Sequence, residues 1–324
     1  MNIKKMLIIG DSLSYSRADY DPIPRFNSYD CFPEMGSWSF TLRDALIKSA
    51  RGFVFGAELA ASQASFSHTV FGDMAFNGLA GTQFVYQQVT DLVTLYLQKH
   101  PQGGAYRVTL DGECSVADVD FKGEEGDYHA RAIFSVTLPA DPTLSVHTVS
   151  FAGEGAFTLL GIACEEREVN ISGRGSQTAR FFLDHYDERV KKFAFDTVIS
   201  VLGANDVKHT PLSVFEAENT QLIEQMLQQN KDARIIMILP PDMSDPDDPE
   251  SNRACFCSKQ IAAPYLDILR KIADKHRLQV VDTWQLFDNL PIPAWRFDDV
   301  HFNQFGNKLL FEKLWALINE ERFV

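Results

Sequence analysis

Five short apolar runs, each closed by glycine, proline or a polar residue, punctuate the chain: "KKMLIIG" at 4–10, "REVNISG" at 167–173, "FDTVISVLG" at 195–203, "ARIIMILPP" at 233–241 and "LQVVDTW" at 278–284. Continuous apolar runs of this length read as strands of a parallel sheet covered on both faces. Between and after them the apolar period changes to that of a helix, over 37–50, 177–193, 211–230, 263–277 and 303–321. In the last of these Leu309, Leu310, Leu314, Leu317 and Ile318 make one stripe for a sheet to cover. Strand alternating with helix predicts an α/β fold, a three-layer, doubly wound parallel sheet.

From about Gly52 to Glu166 that rhythm stops. Runs such as "YRVTLDGE", "HARAIFSVTLP", "LSVHTVSFAGEG" and "AFTLLGIAC" follow one another with polar turns between them, the pattern of a β-sandwich. The segment 87–100 fits a helix or a long strand equally. The expected organisation is therefore a first part of an α/β domain at 1–51, an inserted β-rich domain at 52–166 and the remainder of the α/β domain at 167–324.

Composition narrows the function classes. With 45% hydrophobic residues and 12% aromatics in 324 residues, the chain can fill large cores. No apolar run is long enough for a membrane span, and the short one at the start runs into Gly10-Asp11-Ser12 without a cleavage site, so a cytoplasmic location is expected. Thirty basic against 44 acidic residues give a formal charge of −14, which argues against nucleic acid or anionic membrane as partner and favours a neutral small molecule or glycan. Five cysteines, Cys31, Cys114, Cys164, Cys255 and Cys257, lack paired C-x-x-C spacing and suit a reducing compartment. No metal or other cofactor is expected, and the oligomeric state is not legible.

Four polar elements sit where strands end. "GDSL" places Ser12 directly after the first run, as a nucleophile or as an ordinary turn serine. "GRGSQT" places Gly175, or Gly173, between a strand and a helix, where a bare N–H can approach a ligand. "GAND" places Asn205 as an oxyanion donor or a helix cap. "FDDVH" sets Asp298 three residues before His301, as a base with its orienting carboxylate or as a cap beside a surface histidine. Ligand sites of open α/β sheets lie outside the carboxyl ends of the strands, so one crevice would collect all four.

In these blocks the chain resembles the SGNH hydrolases, the GDSL esterases and lipases, over roughly 1–50 and 167–324. The resemblance implies a catalytic triad of Ser12, His301 and Asp298, rather than Asp299, and an oxyanion hole of the Ser12 N–H, the Gly175 N–H and the Asn205 side chain. It implies a serine esterase acting on short-chain acyl esters, O-acetyl groups of a carbohydrate above all. The alternatives are a lipase- or thioesterase-type acyl hydrolase and a catalytically silent carbohydrate-binding protein. The insert resembles the β-sandwich of some bacterial carbohydrate O-acetylesterases, including peptidoglycan O-acetylesterases. It is a candidate carbohydrate-binding module that would shape specificity without supplying a triad residue. The loop 17–38 offers Tyr20, Arg25, Phe26, Tyr29 and Trp38 either as pocket lining or as cover for the sheet edge, and the acidic loop 240–257 is either a lid or a solvated connection.

Overall fold

The computed structural model of the chain describes residues 3–14, 37–59, 75–99, 102–122, 133–244, 259–296, 298 and 300–320. The strands among them, in chain order, are β1 Lys5–Gly10, β2 Val54–Phe55, β3 Phe76–Gly78, β4 Gln83–Tyr86, β5 Leu92–Gln98, β6 Ala105–Leu110 and β7 Ser115–Asp120. They continue with β8 Ile133–Pro139, β9 His147–Gly153, β10 Phe157–Ala163, β11 Glu168–Gly173, β12 Thr197–Val201, β13 Arg234–Ile238 and β14 Gln279–Val281. The helices are α1 Trp38–Lys48, α2 Gly56–Leu59, α3 Ala179–Asp184, α4 Ala204–His209, α5 Leu212–Gln229, α6 Lys259–His276, α7 Thr283–Phe287, α8 Ile292–Trp295 and α9 Gln304–Asn319. The chain divides into two units, Met1–Arg43 with Val169–Val324, and Asp44–Glu168.

The first unit is an α/β layer structure on a five-stranded sheet of order β11-β1-β12-β13-β14. All five apolar runs read from the sequence are its strands. Pairs β1–β12, β12–β13 and β13–β14 are parallel. Met6, Leu7, Ile8 and Ile9 of β1 are all fully buried, because successive side chains point to opposite faces and both faces are covered. On one face Leu7, Ile9, Val198, Ile235 and Met237 pack with Phe182 of α3, Leu222 and Met226 of α5, and Leu266 and Leu269 of α6. α9 is tied to the sheet by Arg234, whose guanidinium donates to the Leu317 and Ile318 carbonyls at 2.6 and 3.3 Å. Of the α9 stripe, Leu310, Leu314 and Ile318 are buried, and Leu309 and Leu317 lie at its margins.

Two helices differ from expectation. The segment 177–193 is not one helix: α3 stops at Asp184 and a π-turn covers Asp187–Lys191. The wider turn brings the Arg189 guanidinium to 5.7 Å from the Phe181 ring centroid, with Arg174 at 5.3 Å. α6 begins at Lys259 rather than near Ala263 and carries Pro264 inside. The proline removes one early N–H, while the buried face of Ala262, Leu266, Leu269 and Ala273 holds the helix to the sheet.

The second unit is built from two antiparallel sheets. One has order β2-β10-β5-β8 with β3 also on β10, and the other has order β4-β9-β6-β7. Their inward side chains share one core: Val93, Leu95, Leu97, Phe157 and Leu159 from the first sheet meet Phe84, Tyr106, Val108, Val149 and Phe151 from the second. Phe151 and Phe157 stack at 4.2 Å between centroids. The ambiguous stretch 87–100 contains β5, an inner strand paired with β10 and β8, buried from Val93 to Gln98. Burial on both faces erased the alternation that would have marked it as a strand. Every aromatic ring of β4, β6 and β9 points inward, so the outward face of that sheet carries Gln83, Val85, Ala105, Arg107, Thr109, Val116, Thr148, Ser150 and Ala152 with the aspartates of β7.

Candidate active site

Counting only its own strands along the chain, the parallel sheet runs second-first-third-fourth-fifth. In such a sheet the crevice for a ligand opens where the winding reverses, between the carboxyl ends of the first and third strands, here β1 and β12. Gly10-Asp11-Ser12 follows β1 and Gly203-Ala204-Asn205 follows β12, with Gly10 opposite Val201 in register. Gly10 has φ of 157°, and a Cβ there would stand 2.4 Å from the Val201 carbonyl oxygen, so no other residue lets the two strand ends come this close.

The turn that carries Ser12 is fixed almost entirely by Asp11. The Asp11 N–H donates to Val201 O at 3.2 Å, and its carbonyl accepts from the Ser14 N–H at 3.0 Å and the Ser14 hydroxyl at 2.7 Å. Its carboxylate Oδ1 accepts from the Leu13 N–H at 2.9 Å, closing an Asx turn over the short helical turn Ser12–Ser14. Asp11, Leu13 and Ser14 are buried, whereas Ser12 is half-buried. Trp38 at the start of α1 braces the turn by donating its indole N–H to Leu13 O at 2.9 Å, while its N–H is received by Asn307 of α9 at 3.0 Å. Trp38 is fully buried and belongs to the scaffold, not to a pocket wall. Tyr20, Arg25, Phe26 and Tyr29 lie outside the described residues.

Asn205, in the first turn of α4, directs its amide nitrogen to Asp11 Oδ2 at 2.9 Å and to Gln177 O at 3.2 Å. Gly203 precedes α4 with φ of 119°, a conformation that favours glycine. The strand that ends at Gly173 continues across the same strand ends, with the Arg174 N–H donating to Gly10 O at 2.8 Å. Gly175 therefore lies between two anchors, Arg174 on Gly10 and Gln177 on Asn205, whereas Gly173 is the last residue of β11.

His301 comes from the loop between α8 and α9. Its Nδ1 stands 2.7 Å from Asp298 Oδ2, and Asp298 Oδ1 accepts the N–H groups of Val300 and His301 at 2.8 and 2.6 Å. Burial pushes the Asp298 carboxyl up, but the hydrogen bond and charge of His301 and the two N–H donors outweigh it and hold the group at about 2. The loop is clamped by a buried cluster of Phe287, Trp295 and Phe302, the first two stacked at 4.5 Å. Asn303 caps α9 through the Gly306 N–H at 3.0 Å, and a Cβ on Gly306 would stand 2.2 Å from Trp295 O.

Asp11 joins these pieces electrostatically. Burial pushes its carboxyl up to about 6, against the pull of the Leu13 N–H, the charge of His301 and the Asn205 amide. Asp206, next to Asn205, is pushed up to about 7 by burial and by the charge of Asp11. The structure thus brings Ser12, Gly175 and Asn205 to adjoining strand ends and pairs His301 with Asp298, while Ser12 Oγ forms no hydrogen bond with a described residue. Sequence reading passed over Asp11, Asp206 and the capping role of Asn303, and offered Trp38 as pocket lining rather than as the brace of the turn; the fully polar "GDS" and "GAND" strings between apolar runs were the available signal for the first two.

Among the described residues no cluster of three or more His, Cys, Asp or Glu could hold a metal ion, and no helix is long and apolar enough to cross a membrane. Cys114 and Cys164 are free thiols, and the other three cysteines lie outside the described residues.

No curated protein gives a significant match to the chain. Among solved structures, a peptidoglycan O-acetylesterase matches with a TM-score of 0.48 at 13% identity, over 98% of this chain and 91% of that one. An acetyl xylan esterase matches with a TM-score of 0.41 at 20% identity, over 47% of this chain and 81% of the other. A lipase/acylhydrolase from Enterococcus faecalis matches with a TM-score of 0.41 at 21% identity, over 48% and 76%. The profile of the GDSL-like Lipase/Acylhydrolase family matches residues 152–309, a span that contains Gly175, Asn205, Asp298 and His301. By that match residues 152–309 of the chain are similar to the GDSL-like Lipase/Acylhydrolase family.

Proposed function

We propose that the protein is a metal-independent serine esterase that removes short acyl groups, acetyl foremost, from a carbohydrate. The observation that carries the reading is the meeting of two sequence-distant blocks at one carboxylate, the Ser12 turn and Asn205 both being bonded to Asp11, together with the 2.7 Å contact of His301 with Asp298.

In the proposed reaction Asp298 stays ionised and accepts a hydrogen bond from the Nδ1–H of His301, which leaves Nε2 unprotonated as the base. His301 takes the Ser12 hydroxyl proton as Oγ bonds to the ester carbonyl carbon. The tetrahedral oxyanion is held by the Ser12 and Gly175 N–H groups and by Asn205 Nδ2. Of the two acceptors now on Asn205, Gln177 O is the more distant, and its proton is the one an oxyanion shares. Collapse expels the sugar alkoxide, which takes the proton from His301, and water repeats the sequence to release the carboxylic acid. A neutral acylated sugar suits a chain of charge −14 better than a polyanion does.

A fluorophosphonate probe tests the reading. Wild type labels at Ser12 and hydrolyses p-nitrophenyl acetate, while a folded Ser12→Ala variant does neither. Full acetate hydrolysis by Ser12→Ala, or an unlabelled wild type, overturns it, the latter in favour of a silent binding protein.

A further inference from the structure

Asp11 carries more than a turn needs. An Asx turn over Leu13 can be closed by a neutral asparagine, without placing an anion in a site where it is fully buried. Burial acts against the charge, so the groups that use it indicate why it is kept. These are the Leu13 N–H, the Asn205 amide at 2.9 Å and the imidazole of His301. Asn205 is the informative one. Its Nδ2 faces two acceptors, Asp11 Oδ2 and Gln177 O, so turning the amide over would set its own oxygen against a carboxylate and a carbonyl.

We propose that Asp11 is a positioning residue of the ester hydrolysis: its carboxylate holds the nitrogen end of the Asn205 amide at the oxyanion position. The inference rests on the esterase reading given above. It assigns a role to the aspartate beside the nucleophile that is separate from that of Asp298, which touches only His301 and its own loop.

The assignment predicts a pH dependence, because a protonated Asp11 becomes a donor and accepts the flipped amide as readily as the working one. The charged groups acting on this carboxyl are few. His301, backed by Asp298, favours its ionised form, and burial opposes it, leaving the group at about 6. On the α4 side stands Asp206, which its own burial and Asp11 push up to about 7, with Glu218 of α5 adding to the rise and the Ala179 N–H opposing it. Arg180 and Asp184 of α3 act on Glu218 in turn. Asp206 is therefore largely protonated near pH 6, and the step this site adds to the acid limb belongs to Asp11.

The experiment is the pH profile of p-nitrophenyl acetate hydrolysis by the full chain, for wild type, Asp11→Asn, Asn205→Ala and the double variant. For wild type, kcat/KM falls below about pH 6 as Asp11 takes up a proton. Asp11→Asn lowers kcat about 10- to 100-fold with KM within about twofold, and its acid limb is shallower than that of wild type because the Asp11 proton no longer contributes. In the Asn205→Ala background the same substitution costs less than about threefold, since the amide it positions is gone. Asn205→Ala alone moves the acid limb to higher pH, because Asp11 has lost a donor that favours its charge; this arm decides the matter if Asp11→Asn does not fold. An unchanged limb and kcat in Asp11→Asn, a full cost that persists in the Asn205→Ala background, or an unmoved limb in Asn205→Ala overturns the inference while fluorophosphonate labelling of Ser12 leaves the esterase reading standing. A wild type that does not label overturns both.

Discussion

Each unit contains an aspartate–histidine pair with the same 2.7 Å contact to the histidine Nδ1, Asp298 with His301 in the α/β unit and Asp111 with His147 in the β unit. Their surroundings differ. The His301 side chain keeps 22% of its exposure and sits on a loop at the strand ends of a parallel sheet, whereas His147 is 0% exposed at the start of β9 and its Nε2 is buried without a partner among the described residues. Asp111, with φ of 51° after β6, accepts from the Thr148 N–H at 2.7 Å and donates its own N–H to Thr148 O at 2.8 Å. That pair pins a turn to a neighbouring strand. The comparison teaches that a carboxylate–imidazole contact is only an orienting device: with reach to a nucleophile it can do chemistry, and sealed in a sandwich it can only stabilise.

The sharpest break of this comparison is at the proposed nucleophile. Ser12→Ala should lower p-nitrophenyl acetate turnover by about four orders of magnitude or more, with far-ultraviolet circular dichroism unchanged, and His301→Ala should come close to it. Asn205→Ala should lose about 10²–10³ in kcat, since one proposed oxyanion donor is removed, with a much smaller change in KM. The matching substitution in the other unit, His147→Ala, should leave kcat within about twofold but cost ~2–4 kcal/mol of stability in urea unfolding, because it empties a buried position and strips a partner from Asp111. A His147→Ala enzyme that is stable but inactive would erase the distinction.

Acid sharpens the contrast further. Asp298 titrates at about 2 in the folded protein against an ordinary 3.8, so its contribution to stability is complete above about pH 4 and fades as pH falls towards 2. Asp206 has the opposite sign: with a folded value of about 7, its charging opposes folding as pH rises past 4, and the penalty is complete above 7. Asp206→Asn should therefore raise the melting temperature more at pH 8 than at pH 5. The smallest expected effect concerns specificity. Replacing 52–166 by a Gly/Ser linker should leave acetate-ester hydrolysis measurable and selectively lower activity on an acetylated glycan; equal ratios for both substrates would remove the insert from recognition. The outward sheet of Gln83, Arg107 and the β7 aspartates offers hydrogen-bonding groups rather than aromatic stacking for such a role.

How much of this was legible varies with the range of the interaction. The five core strands could be read because a strand buried on both faces leaves an unbroken apolar run, and the helix ends at Trp38 and Asn303 because their neighbours carry the helical period. β5 could not be assigned for the same reason that β1 could: burial on both faces removes alternation, and only the pairing with β8 and β10 made it a strand. The break of 177–193 into α3 and a π-turn depends on Phe181 meeting two guanidiniums, one of them from outside the helix.

By itself the sequence determined the chemistry-bearing types and where along the chain they stand: Ser12, Gly175, Asn205, Asp298 and His301, each at the edge of an apolar run or helix. The tertiary structure decided what those residues are to one another. Asp11 looked like a turn former until β1 and β12 were laid side by side, and then its carboxylate proved to be the acceptor for an amide 194 positions away. Local spacing encodes periodicity and capping because these act over one or two turns of chain. The direction of a buried hydrogen bond and the burial that shifts a carboxyl are set by whichever strand packs alongside, and no local pattern records that neighbour.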